Sequence, residues 1–125
     1  LDRKFEKYFM KLKKLGTEIH VRSVFLQGLY FMNNKRLPQK LLPLKKYLDN
    51  LESICDEFNI SIGELALNFV YQNKFIDKII IGVDSSNQLN QNIKMIKNWN
   101  SNNNVCKLIN EITVKEQYLL SPVNW

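Results

Sequence analysis

The sequence predicts an α/β protein built on parallel strands. Three observations carry that prediction. Ile79-Ile80-Ile81-Gly82-Val83 is a near-continuous apolar run of the kind a parallel strand buried on both faces requires. Glu18-Ile19-His20-Val21-Arg22-Ser23-Val24-Phe25-Leu26 is rich in β-branched and apolar residues and has strand length. The segments before, between and after these two carry apolar residues at helical spacing, which is the alternation of an α/β fold.

Each element follows in turn. From Lys4 to Leu15, residues Phe5, Tyr8, Phe9, Leu12 and Leu15 fall on one helical face with lysines between them, and Gly16 supplies the stop. The first strand has two unlike faces, with Ile19, Val21 and Phe25 on one side and Glu18, His20 and Arg22 on the other. Gln27 to Lys40 holds Gly28, two asparagines and Pro38 and is expected to be an irregular connection. Helical spacing resumes with Leu44, Leu48, Leu51, Cys55 and Phe58, and breaks at Asn59. Ser61-Ile62-Gly63-Glu64 is a capping-box pattern that opens another helix with Leu65, Ala66, Phe69 and Val70 on its face. The second strand is expected over Ile76–Val83. Ser85 or Ser86 then caps a helix carrying Leu89, Ile93 and Ile96. Asn102-Asn103-Asn104 reads as a loop. Val105, Leu108, Ile109 and Ile112 mark a last helix before a tail closing on Pro122 and Trp125.

Composition narrows the class. At 125 residues, 45% hydrophobic and 24% charged, the chain has the make-up of one ordinary globular unit. No stretch approaches the roughly 20 apolar residues of a membrane helix, and no charged-then-apolar leader opens it, so a cytoplasmic protein is expected. Two cysteines, Cys55 and Cys106, and one histidine are too few for a disulfide framework or a zinc site; both thiols are expected to be reduced, and no metal is expected. The net charge of +6 is uneven: residues 1–46 hold 12 basic side chains against three acids, or +9, and the remainder is −3. A basic third can meet nucleic acid or a phosphate-bearing ligand, but only three of the 18 basic residues are arginines and the lysines alternate with helical apolar positions. That is the pattern of a solvated helix face, and no aromatic-basic reading motif accompanies it.

Two strands are too few for a parallel sheet, because strands joined by helical crossovers need neighbours on both edges. The pattern is therefore expected to be a piece of a larger βα repeat, with Leu1 a cut rather than a processed terminus.

The first strand and its loop, Glu18 to Leu29 with Ser23 and Gly28-Leu29, resemble the seventh strand of aldo-keto reductases. Ile79-Ile80-Ile81-Gly82-Val83-Asp84-Ser85-Ser86-Asn87-Gln88-Leu89-Asn90-Gln91-Asn92 resembles the eighth strand and helix, where Gln-Leu-x-x-Asn follows a short polar loop. Ala66-Leu67-Asn68-Phe69-Val70 resembles the helix between them, and Ser121-Pro122-Val123-Asn124-Trp125 is similar to tails of a bacterial branch from surface-polysaccharide pathways. The blocks occur in order over nearly the whole chain.

The resemblance implies that residues 1–125 are the C-terminal portion of a (β/α)8 TIM barrel, with 101–125 its C-terminal tail and Leu1-Asp2-Arg3 the exit of the sixth strand. It implies NAD(P)H-dependent reduction of a small carbonyl compound, with a sugar as one candidate. The family's acidic Tyr and its Lys, Asp and His partners map to no position here, and His20 is not at the catalytic histidine's place. This chain is therefore expected to carry no catalytic residue. Part of the cofactor site does map. Ser23, with backbone near Phe25 and Gln27, falls where the family holds the pyrophosphate, and Arg22 stands where an aromatic often stacks under the nicotinamide. Asp84, Ser85, Gln88, Gln91 and Asn92 fall around the adenosine. Gly82 and Gln88 occupy places where NADP-preferring members put Lys and Arg, and Asp84 would repel a 2′-phosphate; NADP is the family default and NAD is compatible with these residues. The implied partners are the rest of the barrel and the substrate, with self-association of the open edges. The alternatives are a reductase-like interaction or regulatory module without chemistry, and a small basic domain binding nucleic acid through residues 3–14 and 35–46.

Overall fold

The computed structural model describes residues 3–99 and 103–125. Leu1, Asp2 and Asn102, each named in an expectation above, lie outside the described residues. The regular elements run α1 (Glu6–Lys14), β1 (His20–Arg22), α2 (Lys45–Phe58), α3 (Ile62–Tyr71), β2 (Lys78–Ile80), α4 (Ser86–Lys97) and α5 (Asn103–Glu111), with short 3-10 turns between Leu26 and Leu44 and again after Gln117. This is the expected mixed α/β order, and the two strands pair in parallel.

Local signals set most of the boundaries. Gly16, at φ 74°, closes α1: its N–H reaches the Lys13 carbonyl at 3.0 Å and the Thr17 N–H reaches that of Leu12 at 3.1 Å. Asn59 takes the left-handed conformation at φ 51° and ends α2. The capping box at α3 is complete: the Ser61 hydroxyl accepts the Glu64 N–H at 3.2 Å, and the Glu64 carboxylate accepts the Ser61 N–H at 2.8 Å. Ser85, not Ser86, caps α4, its hydroxyl accepting the Gln88 N–H at 3.2 Å.

The strands depart from expectation. β1 stops at Arg22 rather than Leu26, because Ser23 adopts φ 61°, which no strand can carry forward. Phe25 is therefore off the strand and packs against Phe31 with the rings tilted and their centroids 5.4 Å apart. β2 covers Lys78–Ile80 rather than Ile76–Val83, and two-faced burial is not found: Ile80 is 55% and Val83 39% exposed. An apolar run shows what a strand is suited to; burial also needs elements on both faces, and among the described residues this sheet has one other strand. Asn103 and Asn104, expected in a loop, open α5.

The core lies in the helical half. One cluster joins Leu26, Leu29, Leu37, Leu41 and Leu44 to Tyr47 and Leu48 of α2 and to Val114, Leu119 and Leu120 of the closing segment. A second joins Leu51, Ile54 and Cys55 of α2 to Leu65 of α3 and to Val105 and Ile109 of α5. The closing segment is thus docked, and Tyr47 fixes it: its hydroxyl accepts the Lys115 N–H at 3.0 Å and donates to Glu116 at 2.8 Å. α1 and α4 contain no buried residue. Within α3, Leu65, Leu67 and Asn68 are buried, while Ala66, Phe69 and Val70, expected on its inner face, are only half-buried.

Candidate functional site

The register sets His20 opposite Lys78, Val21 opposite Ile79 and Arg22 opposite Ile80. Because the strands are parallel, both chains leave the sheet at the same end. Ser23 and its loop therefore emerge beside Ile81-Gly82, and the two groups of predicted residues, 22–27 and 82–92, share one edge. In barrels of parallel strands this C-terminal edge is where sites are built.

On the β1 side, Ser23 (φ 61°), Leu26 (φ 46°) and Gln27 (φ 54°) all have left-handed backbones, followed by Gly28 at φ 80°. Only Gly28 takes that conformation freely; for a leucine it is a genuine outlier. Such residues each cost about 1–3 kcal/mol and persist where surrounding packing over-determines them. Here the packing is visible. Leu26 and Leu29 are buried in the core on either side of Gln27 and Gly28, so the loop is pinned while Gln27 stays exposed. The Ser23 carbonyl accepts the Leu26 N–H at 2.8 Å, which tightens the turn leaving the strand.

On the β2 side, Gly82 is exposed with open space where a side chain would stand. The Asp84 N–H donates to the Gln88 Oε1 at 2.8 Å, and Ser85 caps the helix that follows. With the Gln88 N–H taken by Ser85, the N–H groups of Ser86 and Asn87 have no acceptor within α4. Gln91 is exposed and Asn92 half-buried on the same helix. Arg22 at the end of β1 is a donor that fits a dinucleotide diphosphate, while Gly82 leaves open space beside the start of α4.

The opposite end of the sheet is a clamp of different character. Asp77 accepts the Ile19 N–H at 2.7 Å and the Lys13 ammonium at 2.7 Å, tying α1 to the start of both strands. The Ile19 N–H first, and then Lys13, hold the Asp77 carboxyl below its ordinary range. Glu18 is lowered by its hydrogen bond with His20 and by Lys78, at 2.9 and 3.1 Å. His20 is therefore part of a hydrogen-bonded surface cluster with Glu18 and Lys78 at the N-terminal edge.

A cleft of about 560 Å³ opens between β1 and α3 beneath α1. Its walls are mainly apolar, from Phe9, Ile19, Val21, Leu65, Phe69 and Val70, and it includes Arg22 and Ser23 but none of residues 82–92. It therefore adjoins the first predicted group and not the second. Arg3 crosses it, hydrogen-bonded to Asn110 and stacked over the Phe69 ring at 4.8 Å. The Tyr30 hydroxyl, also at the cleft, is pushed up to about 12 by burial.

Two features escaped the sequence reading. The left-handed run at Leu26-Gln27 had Gly28 as its only signal. Asn68, a polar residue within the apolar pattern of α3, is fully buried and ties α3 to α4 by donating to the Met95 carbonyl at 3.0 Å. Cys55 and Cys106 are free thiols, Cys55 pushed up to about 11 chiefly by burial. Among the described residues no group of His, Cys, Asp and Glu could hold a metal ion, and no helix is long and apolar enough to cross a membrane.

A parallel βα arrangement with its distinctive loops at one strand edge, two strands among the described residues, is consistent with a fragment of a (β/α)8 barrel. The chain belongs to the aldo/keto reductase family, an oxidoreductase family whose sequence model matches residues 2–113. No curated protein and no solved structure gives a significant match.

Proposed function

We propose that this chain is the C-terminal portion of an NAD(P)H-dependent aldo-keto reductase and supplies part of its cofactor site without its catalytic residues. The observation that carries the reading is the parallel register that sets Arg22 opposite Ile80 and so brings residues 22–27 and 82–92 to one edge. Arg22 and Ser23, with the loop backbone from Phe25 to Gln27, would hold the diphosphate and the nicotinamide end. Gly82, Asp84, Ser85, Gln88, Gln91 and Asn92 would hold the adenosine end. The bound nicotinamide would supply hydride to a carbonyl carbon. In this reading the chain's own residues bind and orient, and the proton for the carbonyl oxygen comes from outside them; His20 is engaged with Glu18.

The substrate is a small carbonyl compound, and the likeness of Ser121–Trp125 to polysaccharide-branch tails points to a sugar. The rest of the barrel is the partner that completes the sheet. In its absence the unpaired strand edges and exposed apolar side chains, Ile80 among them, favour a second copy. Sedimentation of residues 1–125 should then show concentration-dependent association, and a monomer at all concentrations would refute it.

The reading frame upstream of the Leu1 codon tests the assignment. It should encode an Asp, a Tyr, a Lys and a His in the family's order. A stop codon directly upstream would overturn the enzyme reading and favour a reductase-like module without chemistry.

A further inference from the structure

Resting on that assignment of the adenosine end, we infer that the site takes a free ribose 2′-hydroxyl, so that its dinucleotide is NAD(H) rather than NADP(H), and that Asp84 decides the choice. A 2′-phosphate carries close to two negative charges and is held by lysine or by the fork of an arginine. From Ile81 to Asn92 the sequence has neither, and Asp84 is its one charged residue.

Among the described residues, α4, β2 and β1 do not supply the missing cation. On α4 the first lysine is Lys94, eight residues beyond Ser86 and so about 12 Å along the axis. On β2, Lys78 is at the far end of the strand and pairs with Glu18 at 3.1 Å. On β1, Arg22 stands opposite Ile80, two residues short of Gly82, at the end assigned to the diphosphate and nicotinamide.

Asp84 is well placed to discriminate. It is exposed, and among the described residues its carboxylate makes no hydrogen bond or ion pair, while its own N–H is held by Gln88 at 2.8 Å. The residue is thereby fixed at the mouth of α4 with a free acceptor pair. A carboxylate in such a place accepts hydrogen bonds from ribose hydroxyls and repels a phosphate on the same carbon. It also supplies the negative charge that the positive end of α4 favours, so the helix start no longer offers a vacancy for a second anion.

The test is a ¹⁵N–¹H spectrum of the full 125-residue chain, titrated with two ligand pairs that differ only at the 2′ position. One pair is adenosine 5′-monophosphate and adenosine 2′,5′-bisphosphate; the other is NAD⁺ and NADP⁺. The amides of Gly82, Asp84, Ser85 and Gln88 should move with the 2′-hydroxyl ligands at concentrations about tenfold lower than with the 2′-phosphorylated ones. Asp84→Asn should shrink that ratio towards one and Asp84→Lys should reverse it. Both changes are at an exposed position, so the spectrum itself reports whether the fold is kept. Equal or tighter response to the 2′-phosphate ligands at these same amides would overturn the inference and leave the site standing. No movement of these amides with any ligand to millimolar concentration would remove the site assignment, and the inference with it.

Discussion

Alanine substitution at two glycines of the site edge should have opposite effects on stability, although the chemical change is the same. Gly28 has φ 80° and open space around the position of a Cβ, so Gly28→Ala meets no steric neighbour and the whole effect is in the backbone. Holding an L-residue in the left-handed region costs about 1–2 kcal/mol. Reducing the freedom of the unfolded chain returns about 0.4–1 kcal/mol. The net destabilisation is about 1 kcal/mol. At Gly82 the space is equally open and φ is not positive. Gly82→Ala therefore keeps only the unfolded-state gain and should stabilise by about 0.5 kcal/mol. The two variants should differ by about 1.5 kcal/mol in urea unfolding followed by far-ultraviolet circular dichroism, at one pH and salt concentration. The same Gly82→Ala variant places a methyl group at the strand end assigned to the cofactor and should weaken dinucleotide binding. Equal stability changes at the two positions, or a Gly28→Ala variant as stable as the parent, would refute the left-handed loop.

Two further outcomes follow from other parts of the fold. Ser61→Ala removes the hydroxyl that accepts the Glu64 N–H at 3.2 Å and should destabilise by about 1 kcal/mol in the same unfolding assay; no change would mean that the box does not set the start of α3. The carboxyls of Asp77, Glu18 and Glu116 are all held below their ordinary values of 3.8, 4.5 and 4.5, the last chiefly by the Tyr47 hydroxyl. Groups lowered in the folded state bind protons more readily when unfolded. Their contribution is complete above about pH 5 and is lost as pH falls through the folded-state values. The urea midpoint should therefore drop between pH 5 and pH 3, most at low salt, and a flat profile would contradict these contacts.

What the sequence disclosed and what it withheld divide along local and tertiary causes. The stop at Gly16, the box at Ser61 and the cap at Ser85 each depend on residues within one turn; the first two were legible outright, and the third to within one residue, as Ser85 or Ser86. The parallel strands were legible as existing elements because β-branched runs suit a pleated surface wherever they lie. Their extents were not, since Ser23 ends β1 by a backbone conformation that no residue type there announces. Asn103 and Asn104 read as loop because asparagine favours turns, but the same side-chain chemistry suits a helix start. Membership of one edge by residues 22–27 and 82–92 could be argued from a parallel pairing. The left-handed backbone of Leu26 could not, because it is imposed by burial of Leu26 and Leu29 against α2 and the closing segment. The choice of Arg22 over an aromatic ring is plain in the sequence, and nothing in the packing explains it.

The central claim is that this chain binds a nicotinamide dinucleotide and does not turn it over. The most direct measurement follows NADH fluorescence as residues 1–125 are added in excess, then after an aldehyde such as a small sugar is supplied. Adding the protein should change the fluorescence, reporting binding, and no decay should follow the aldehyde. Steady loss of NADH that depends on both protein and aldehyde would contradict it, since the proton donor would then have to be among these 125 residues.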